Sequence, residues 1–445
     1  MMELFAAAQM GYAFCNLMYM KLFLKFPRFV SMDRKPTKYP NIDVFIAAYK
    51  ERYEILRDNV KSLLNQDYPK DKIKIHIVVE EHDHETLDSA YAVKREFMTL
   101  AVTQHRGGTQ ETSEEHGVDI VQIPHNRHEN WHKVLKHAEI KPDTHVPYGK
   151  GRALLYALHH AKTSKDVICV FDAEDIAPPK LFAGAVSGLQ QGYDVVQGLI
   201  SYRNWNKNML TALQSAEPVI WSRLFYPNTS NESVPFQVLG PAYFFAYKLA
   251  MEQKGWNPFT TSEDVHFGIS AWNRKKRLGI LNMYTSELGV ETLGAWLAQR
   301  RRWARGHQEH FITLPLGLRA RVNFFTYTIN SQIINMVSLI GVPTGIYLFV
   351  RSVERLPTFI SPYIVPILYF NLAMWLITAT YLMYEISRAY AFRNIKEKLA
   401  YILRVNPLTL LFYSMLWSVP VVLGLWDNVV RLFTKKLPVW EKTPH

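Results

Sequence analysis

Three stretches toward the end of the chain, Phe324–Val350, Pro357–Tyr384 and Val405–Trp426, contain no charged side chain. Each exceeds the roughly 20 residues that a helix needs to cross about 30 Å of hydrocarbon. Soluble core helices of that length without a charge are rare, so the pattern predicts membrane helices across residues 324–434. The first residues add another apolar run, Leu4–Met20, with Glu3 before it and Lys21, Lys25, Arg28, Arg34, Lys35 and Lys38 after it. A secretory signal has the opposite order, basic residues first. Residues 1–38 therefore read as an anchor whose basic flank stays cytoplasmic, and the polar region 39–305 is expected on that same side.

Two other stretches, Gly306–Arg321 and Arg388–Arg404, mix basic residues with Leu, Ile, Phe and Tyr at helical spacing. That composition predicts helices lying on a membrane surface, over 306–323 and about 388–404. An aromatic content of 13% fits the same setting.

Between the membrane elements the pattern changes to strands alternating with helices. Ile42–Tyr49, Ile73–Asp83, Val167–Asp175 and Asp194–Ser201 are compact apolar runs, and helical stretches follow the first and precede the third. Buried strands separated by helices predict a mostly parallel sheet covered on both faces. Ligands of such sheets bind beyond the carboxyl ends of the strands. Residues 101–145 hold seven of the 16 histidines and fit the alternation poorly, so they read as a flexible insertion. His125, His128 and His132 lack partner acids at ligand spacing and are not expected to hold a metal. Only two cysteines occur, Cys15 and Cys169, which rules out a disulfide framework or a cysteine-based zinc site.

The formal charge of +12 calls for an anionic partner. Three local patterns suggest which one. Asp172-Ala173-Glu174-Asp175 follows an apolar strand, and three carboxylates within four residues repel one another unless a cation intervenes. Mg²⁺ or Mn²⁺ takes one or two carboxylates and completes its shell with diphosphate oxygens. Thr261-Ser262-Glu263-Asp264 precedes a helical run; it reads equally as a helix cap with acids in the first turn and as a carboxylate base. Gln299-Arg300-Arg301-Arg302-Trp303-Ala304-Arg305-Gly306 packs four arginines and a tryptophan into eight residues. A nucleic-acid-binding scaffold would leave the acidic clusters without a role, so no nucleic-acid partner is expected.

Taken in order, the three patterns resemble the motif set of the processive family 2 glycosyltransferases, the cellulose, chitin, hyaluronan and exopolysaccharide synthases. The correspondences are D-x-D with Asp172-x-Glu174, S/T-E-D with Ser262-Glu263-Asp264, and Q-x-x-R-W with Gln299-x-x-Arg302-Trp303. The resemblance runs from about Asn41 to the last residue. It implies a Rossmann-like GT-A domain over 39–305, joined to transmembrane and interfacial helices. It also implies Mg²⁺ or Mn²⁺ on Asp172 and Glu174, and Asp264, with Glu263 beside it, as the catalytic base.

Nucleotide contacts are implied for Tyr49 and Glu51, for Glu80 and Glu81, for Lys150 and Arg152, and for Arg302 and Arg305. Gln299, Trp303 and Gly240 are implied at the acceptor. The sequence departs from the family twice: Leu155-Tyr156-Ala157-Leu158 lacks an expected Asn, and Gly240-Pro241-Ala242 replaces a Gly-Ser type loop. The tail 435–445 resembles a W-x-K-T-x-H ending, with Trp440, Lys442 and Thr443 implied as a gating loop over the diphosphate.

The expected activity is β-linked polymerisation from a nucleotide sugar, UDP-glucose by default, with secretion of the product. The alternative is one sugar placed on a lipid. The implied partners are the donor, a growing glycan or lipid acceptor, the bilayer, and at most further copies of the chain. Topology leaves a conflict. Four spans put the tail opposite the catalytic region, whereas gating, together with Arg431, Lys435 and Lys436, requires the same side; a hairpin over Val405–Phe433 or a missing span would resolve it.

Overall fold

The computed structural model describes residues 2–23, 29–105, 117–142, 144–225, 234–353, 361–390 and 392–434; the expected gating loop at Trp440, Lys442 and Thr443 lies outside them. Seven strands form one sheet: β1 (Ile42–Ala48), β2 (Ile73–Glu80), β3 (Val118–Ile123), β4 (Val167–Asp172), β5 (Val195–Tyr202), β6 (Tyr243–Ala246) and β7 (Leu278–Glu287). Their order is β3-β2-β1-β4-β6-β5-β7. All neighbours pair in parallel except β6, which runs antiparallel to both β4 and β5. The apolar runs are continuous because both faces are covered. Val44 and Ile46 pack in one cluster with Leu56 of helix Tyr53–Leu64 and Phe182 of helix Leu181–Gln190. Phe45, between them, joins Trp131 of helix Asn130–His137 and Leu154 of helix Lys150–His160 in the other. Strand alternation sends neighbouring side chains to opposite faces.

The expected flexible insertion over 101–145 is corrected in part. β3 lies within it and pairs with β2 from Ile75↔Val118 to Glu80↔Ile123. Trp131, Val134 and Leu135 of helix Asn130–His137 are buried in the core. β3 is an edge strand whose polar Asp119 and Gln122 interrupt the apolar pattern, which is why it does not read as a buried strand.

Among the described residues, three stretches are long and apolar enough to cross a membrane: Leu318–Arg351, Ile364–Ala389 and Pro407–Thr434. The N-terminal helix Met2–Phe23 packs against the first two through buried polar groups. Gln9 Nε2 donates to Gly341 O at 2.5 Å and to Thr344 Oγ1 at 3.0 Å, and Asn16 Nδ2 donates to Asn371 Oδ1 at 3.0 Å. Hydrogen bonds of this kind join helices where apolar burial gives no preference.

Two boundaries differ from expectation. The arginine-rich segment belongs to a 21-residue helix, Leu293–Thr313, which runs through the expected break at 305. The Val405–Phe433 region does not fold back as a hairpin; Pro407–Thr434 continues as one apolar stretch of 28 residues with a single turn at Trp417. Helix Ile395–Arg404 leaves Ile395, Leu399 and Leu403 exposed among its charges.

Candidate active site

A cavity of about 690 Å³ opens at the carboxyl ends of the parallel strands, where an α/β sheet binds its ligands. Strand ends deliver Tyr49 and Glu51 after β1, Glu80 from β2, Asp172 and Glu174 from β4, and Glu287 from β7. The turn before helix Lys150–His160 adds Lys150, the loop before β6 adds Gly240, and the start of helix Glu263–Asn273 adds Glu263 and Asp264. Helix Leu293–Thr313 closes the opposite wall with Gln299, Arg302, Trp303 and His307. The three sequence patterns therefore meet at one cavity.

Lys150 sits at its centre. Its ammonium donates to Asp172 Oδ1 and, at 2.7 Å, to Gly240 O. Burial opposes this charge, but Asp172 and Glu263 outweigh burial and hold the ammonium protonated. Gly240 approaches the acids closely: a Cβ there would lie 3.2 Å from Asp172 Oδ2, tighter than ordinary contact. Burial and then Asp264 push Glu263 up to about 7, against Lys150. Asp264 is raised by burial in the same way. Ser262 does not act as a side-chain cap for helix Glu263–Asn273. Two contacts from the long helix secure the turn instead. Gly306 leaves room for Ser262, whose Oγ would lie 1.8 Å from a Cβ at 306. One turn on, His310 Nε2 donates to Ser262 O at 3.0 Å.

Four expected site residues are placed elsewhere or otherwise engaged. Arg152 is fully buried beneath the cavity, where it donates to Glu80, Pro124 O and Val146 O between the rings of Trp131 and Tyr148. Two helical steps of 100° aim it away from Lys150. Glu81 alternates outward from Glu80 and is exposed. Arg305 and Arg301, four residues apart, share the helix face opposite the cavity and meet Asp427, at 3.8 Å and 2.7 Å. Glu80 stays in the cavity wall but is paired with Arg152; burial, ahead of that pairing, pushes its carboxyl up to about 7.

Other residues at the site had no role of their own assigned from sequence. Arg300 is fully buried. It donates to Glu217, to Gln214 Oε1 at 3.2 Å and to Gln299 Oε1, and lies 4.4 Å from the Trp303 ring. It thus holds two of the three residues expected at the acceptor, Gln299 and Trp303. Asp175 is fully buried and takes the Asp172 N–H at 2.6 Å, so it braces the acidic turn from behind. Glu287 ends β7 as Asp172 ends β4, a strand-end acid that a strand assignment for residues 278–287 would have exposed. His82 and Tyr148 line the cavity with ring centroids 5.1 Å apart.

Among the described residues, no three His, Cys, Asp or Glu side chains are grouped as a preformed metal site. The donor chemistry nevertheless suits a hard divalent cation. Glu287 Oε1 is buried without a hydrogen-bond partner. Its carboxyl is held well above the usual range, first by burial and then by Asp172 and Glu174. Oxygen donors that repel one another are what such a cation neutralises.

A mixed sheet of seven strands with carboxylates at its strand ends, joined to long apolar helices, defines a GT-A-like glycosyltransferase fold. The family model described as glycosyl transferase family group 2 matches residues 167–426, more than half of the chain, and the chain belongs to that family. It is 23% identical over 292 residues to the probable glycosyltransferase YdaM of Bacillus subtilis (strain 168), a match covering 64% of this chain and 60% of the relative. It is 22% identical over 310 residues to the beta-monoglucosyldiacylglycerol synthase of Synechocystis sp. (strain ATCC 27184 / PCC 6803 / Kazusa), covering 68% and 56%. The chain thus spans less than two thirds of the length of either relative. The mannosyltransferase PcManGT of Pyrobaculum calidifontis, solved with GDP-Man and Mn²⁺, shares the fold with a TM-score of 0.57 at 16% identity, over 96% of this chain and all of that one.

Proposed function

We propose that this protein transfers a sugar from a nucleotide-sugar donor to an acceptor hydroxyl at a membrane surface. The observation that carries the reading is the meeting of Asp172, Glu174, Lys150, Asp264, Arg302 and Trp303 around one cavity at the strand ends. Tyr49, Glu51 and the His82–Tyr148 pair lie where the nucleotide would enter. Lys150 and Arg302 provide positive charge for the diphosphate. Asp172 and Glu174 would hold Mg²⁺ or Mn²⁺, which when bound supplies further positive charge to the leaving diphosphate. Asp264 takes the proton of the acceptor hydroxyl as its oxygen bonds to the anomeric carbon. The bond from that carbon to the diphosphate oxygen breaks in the same displacement, inverting the configuration. Glu263, with its pKa about 7, shares the local negative charge and keeps Lys150 engaged. Gln299 and Trp303, both held by Arg300, orient the acceptor.

A β-linked polymer grown from UDP-glucose and secreted is the product implied by the motif set. A single sugar on a lipid is the second reading, favoured by the likeness to a glucosyldiacylglycerol synthase. The test is release of nucleoside diphosphate by purified protein across a donor panel with Mg²⁺ or Mn²⁺, followed by sizing of the product. Polymer supports the first reading and glycolipid the second; no release from any donor overturns both. Asp264→Asn is expected to lower kcat by about 10²- to 10⁴-fold, the range for losing a general base. Full turnover in that variant would remove the assignment of the base.

A further inference from the structure

The Pro407–Thr434 stretch is apolar enough to cross a membrane, yet its second helix, Ser418–Thr434, packs chiefly on helix Leu293–Thr313, while both its helices also touch Asn330–Val353. Near the start, Tyr413 accepts from Trp296 Nε1 at 2.6 Å, and Trp417 Nε1 donates to Glu217, the partner of Arg300, at 2.7 Å. In the middle, a Cβ on Gly424 would lie 2.9 Å from Arg305 N and 3.1 Å from Arg301 O, so the two backbones nearly touch. Asp427 pairs with Arg301, Asn428 Nδ2 donates to Arg305 O at 3.1 Å, and Arg431 meets Glu309 at 2.8 Å. The contacts with helix Leu293–Thr313 fall between Trp296 and Glu309, about 20 Å of helix at 1.5 Å per residue.

Helix Leu293–Thr313 cannot sit in hydrocarbon. Its inner face lines the polar cavity, and charged groups recur along its length, which the bilayer core tolerates poorly. A partner in register with it along that length, and tied to it by ion pairs, is kept out of the core as well. The outward side of the partner is apolar: Val419, Val422, Trp426, Val430 and Phe433 form one exposed stripe. Leu318–Arg351 and Ile364–Ala389 are long and apolar enough to make the crossings that follow the catalytic region, and Met2–Phe23 packs against both.

We propose that Pro407–Thr434 does not span the bilayer but lies in the membrane surface as a strap along helix Leu293–Thr313. Its stripe faces lipid, and Thr434 ends on the catalytic side. Two crossings after the catalytic region, in place of three, put the chain end on that side and remove the topological conflict in the sequence.

Sidedness and depth test this independently of any sugar transfer. Single cysteines would be introduced at Lys207, at Arg351 and after His445 in the full chain; native Cys15 and Cys169 are buried and stay. With a membrane-impermeant maleimide on sealed cells and on permeabilised ones, the terminal cysteine is expected to label like Lys207→Cys and opposite to Arg351→Cys. A terminal cysteine that follows Arg351→Cys, or three positions that label alike, would overturn the proposal. Nitroxides at Phe412, Val422 and Phe433 in reconstituted protein are expected at one shallow depth. A gradient that passes the bilayer midplane near Val422 would also overturn it.

Discussion

A methyl group at position 306 would sit 1.8 Å from Ser262 Oγ and 2.8 Å from its Cβ. Gly306 is thus the point where the long helix approaches the Ser262-Glu263-Asp264 turn, and the turn must shift if it is lost. Gly306→Ala is expected to lower kcat by about 10²-fold, the scale of a 1 Å misplacement of a catalytic group, with little change in donor KM. Ser262→Gly removes both clashing atoms, so the double variant should recover most of the loss. Equal kcat values for the single and double variants would show that the contact does not position Asp264. From sequence, Gly306 was only the last letter of an arginine-rich motif. Gln299, Arg302 and Trp303 were grouped from sequence by one short spacing, and a single helix brings all three to the cavity wall. The place of Arg300 was not legible, because its burial depends on Glu217, 83 residues away.

At the scale of elements, helix Leu293–Thr313 serves three surroundings at once: the cavity, the strap helix, and the Glu263–Asn273 helix at the His266–His310 contact. His310 is almost fully buried, and burial lowers its pKa to about 4. A histidine depressed in the fold favours the folded state when neutral, so its contribution is complete above its ordinary value near 6.5 and is lost as pH falls toward 4. At 1.36 kcal/mol per pKa unit this amounts to about 3 kcal/mol for the group. The thermal midpoint is therefore expected to fall steeply between pH 6.5 and 4, and less steeply in His310→Gln, which keeps an N–H for Ser262 O. Parallel melting profiles for the two proteins would rule His310 out as the source. The strands that sequence exposed were the doubly covered ones with unbroken apolar runs, such as β1 and β4. β3 lies at an edge, β6 has four residues, and β7 carries Asn282 and Thr285 within its run. Those patterns carry little periodic signal, and tertiary pairing decides them.

For the whole molecule, the expected division at 305 between a catalytic domain and membrane elements does not match how the chain is held together. Gly306 and His310, which fix the turn carrying Asp264, lie beyond that division on the same helix as Gln299 and Arg302. Arg300, which holds Gln299 and Trp303, is neutralised by Glu217, and Glu217 also accepts from Tyr413 and Trp417 of the strap. Glu385, near the end of the Ser361–Ala389 helix, takes Arg223 from the segment just after Glu217. Removing the partner of a buried pair leaves an uncompensated charge, a loss of about 3–5 kcal/mol. A polypeptide of residues 39–305 is therefore expected to lose nucleoside diphosphate release to background and to melt without a cooperative transition. Shortening the chain only after Thr434 should preserve cooperative melting, because the contacts described here are all retained. The comparison needs calorimetry and donor turnover on the full chain and both truncations. Donor turnover by the 39–305 piece at the full-length rate would show that the membrane helices anchor the enzyme without shaping its site.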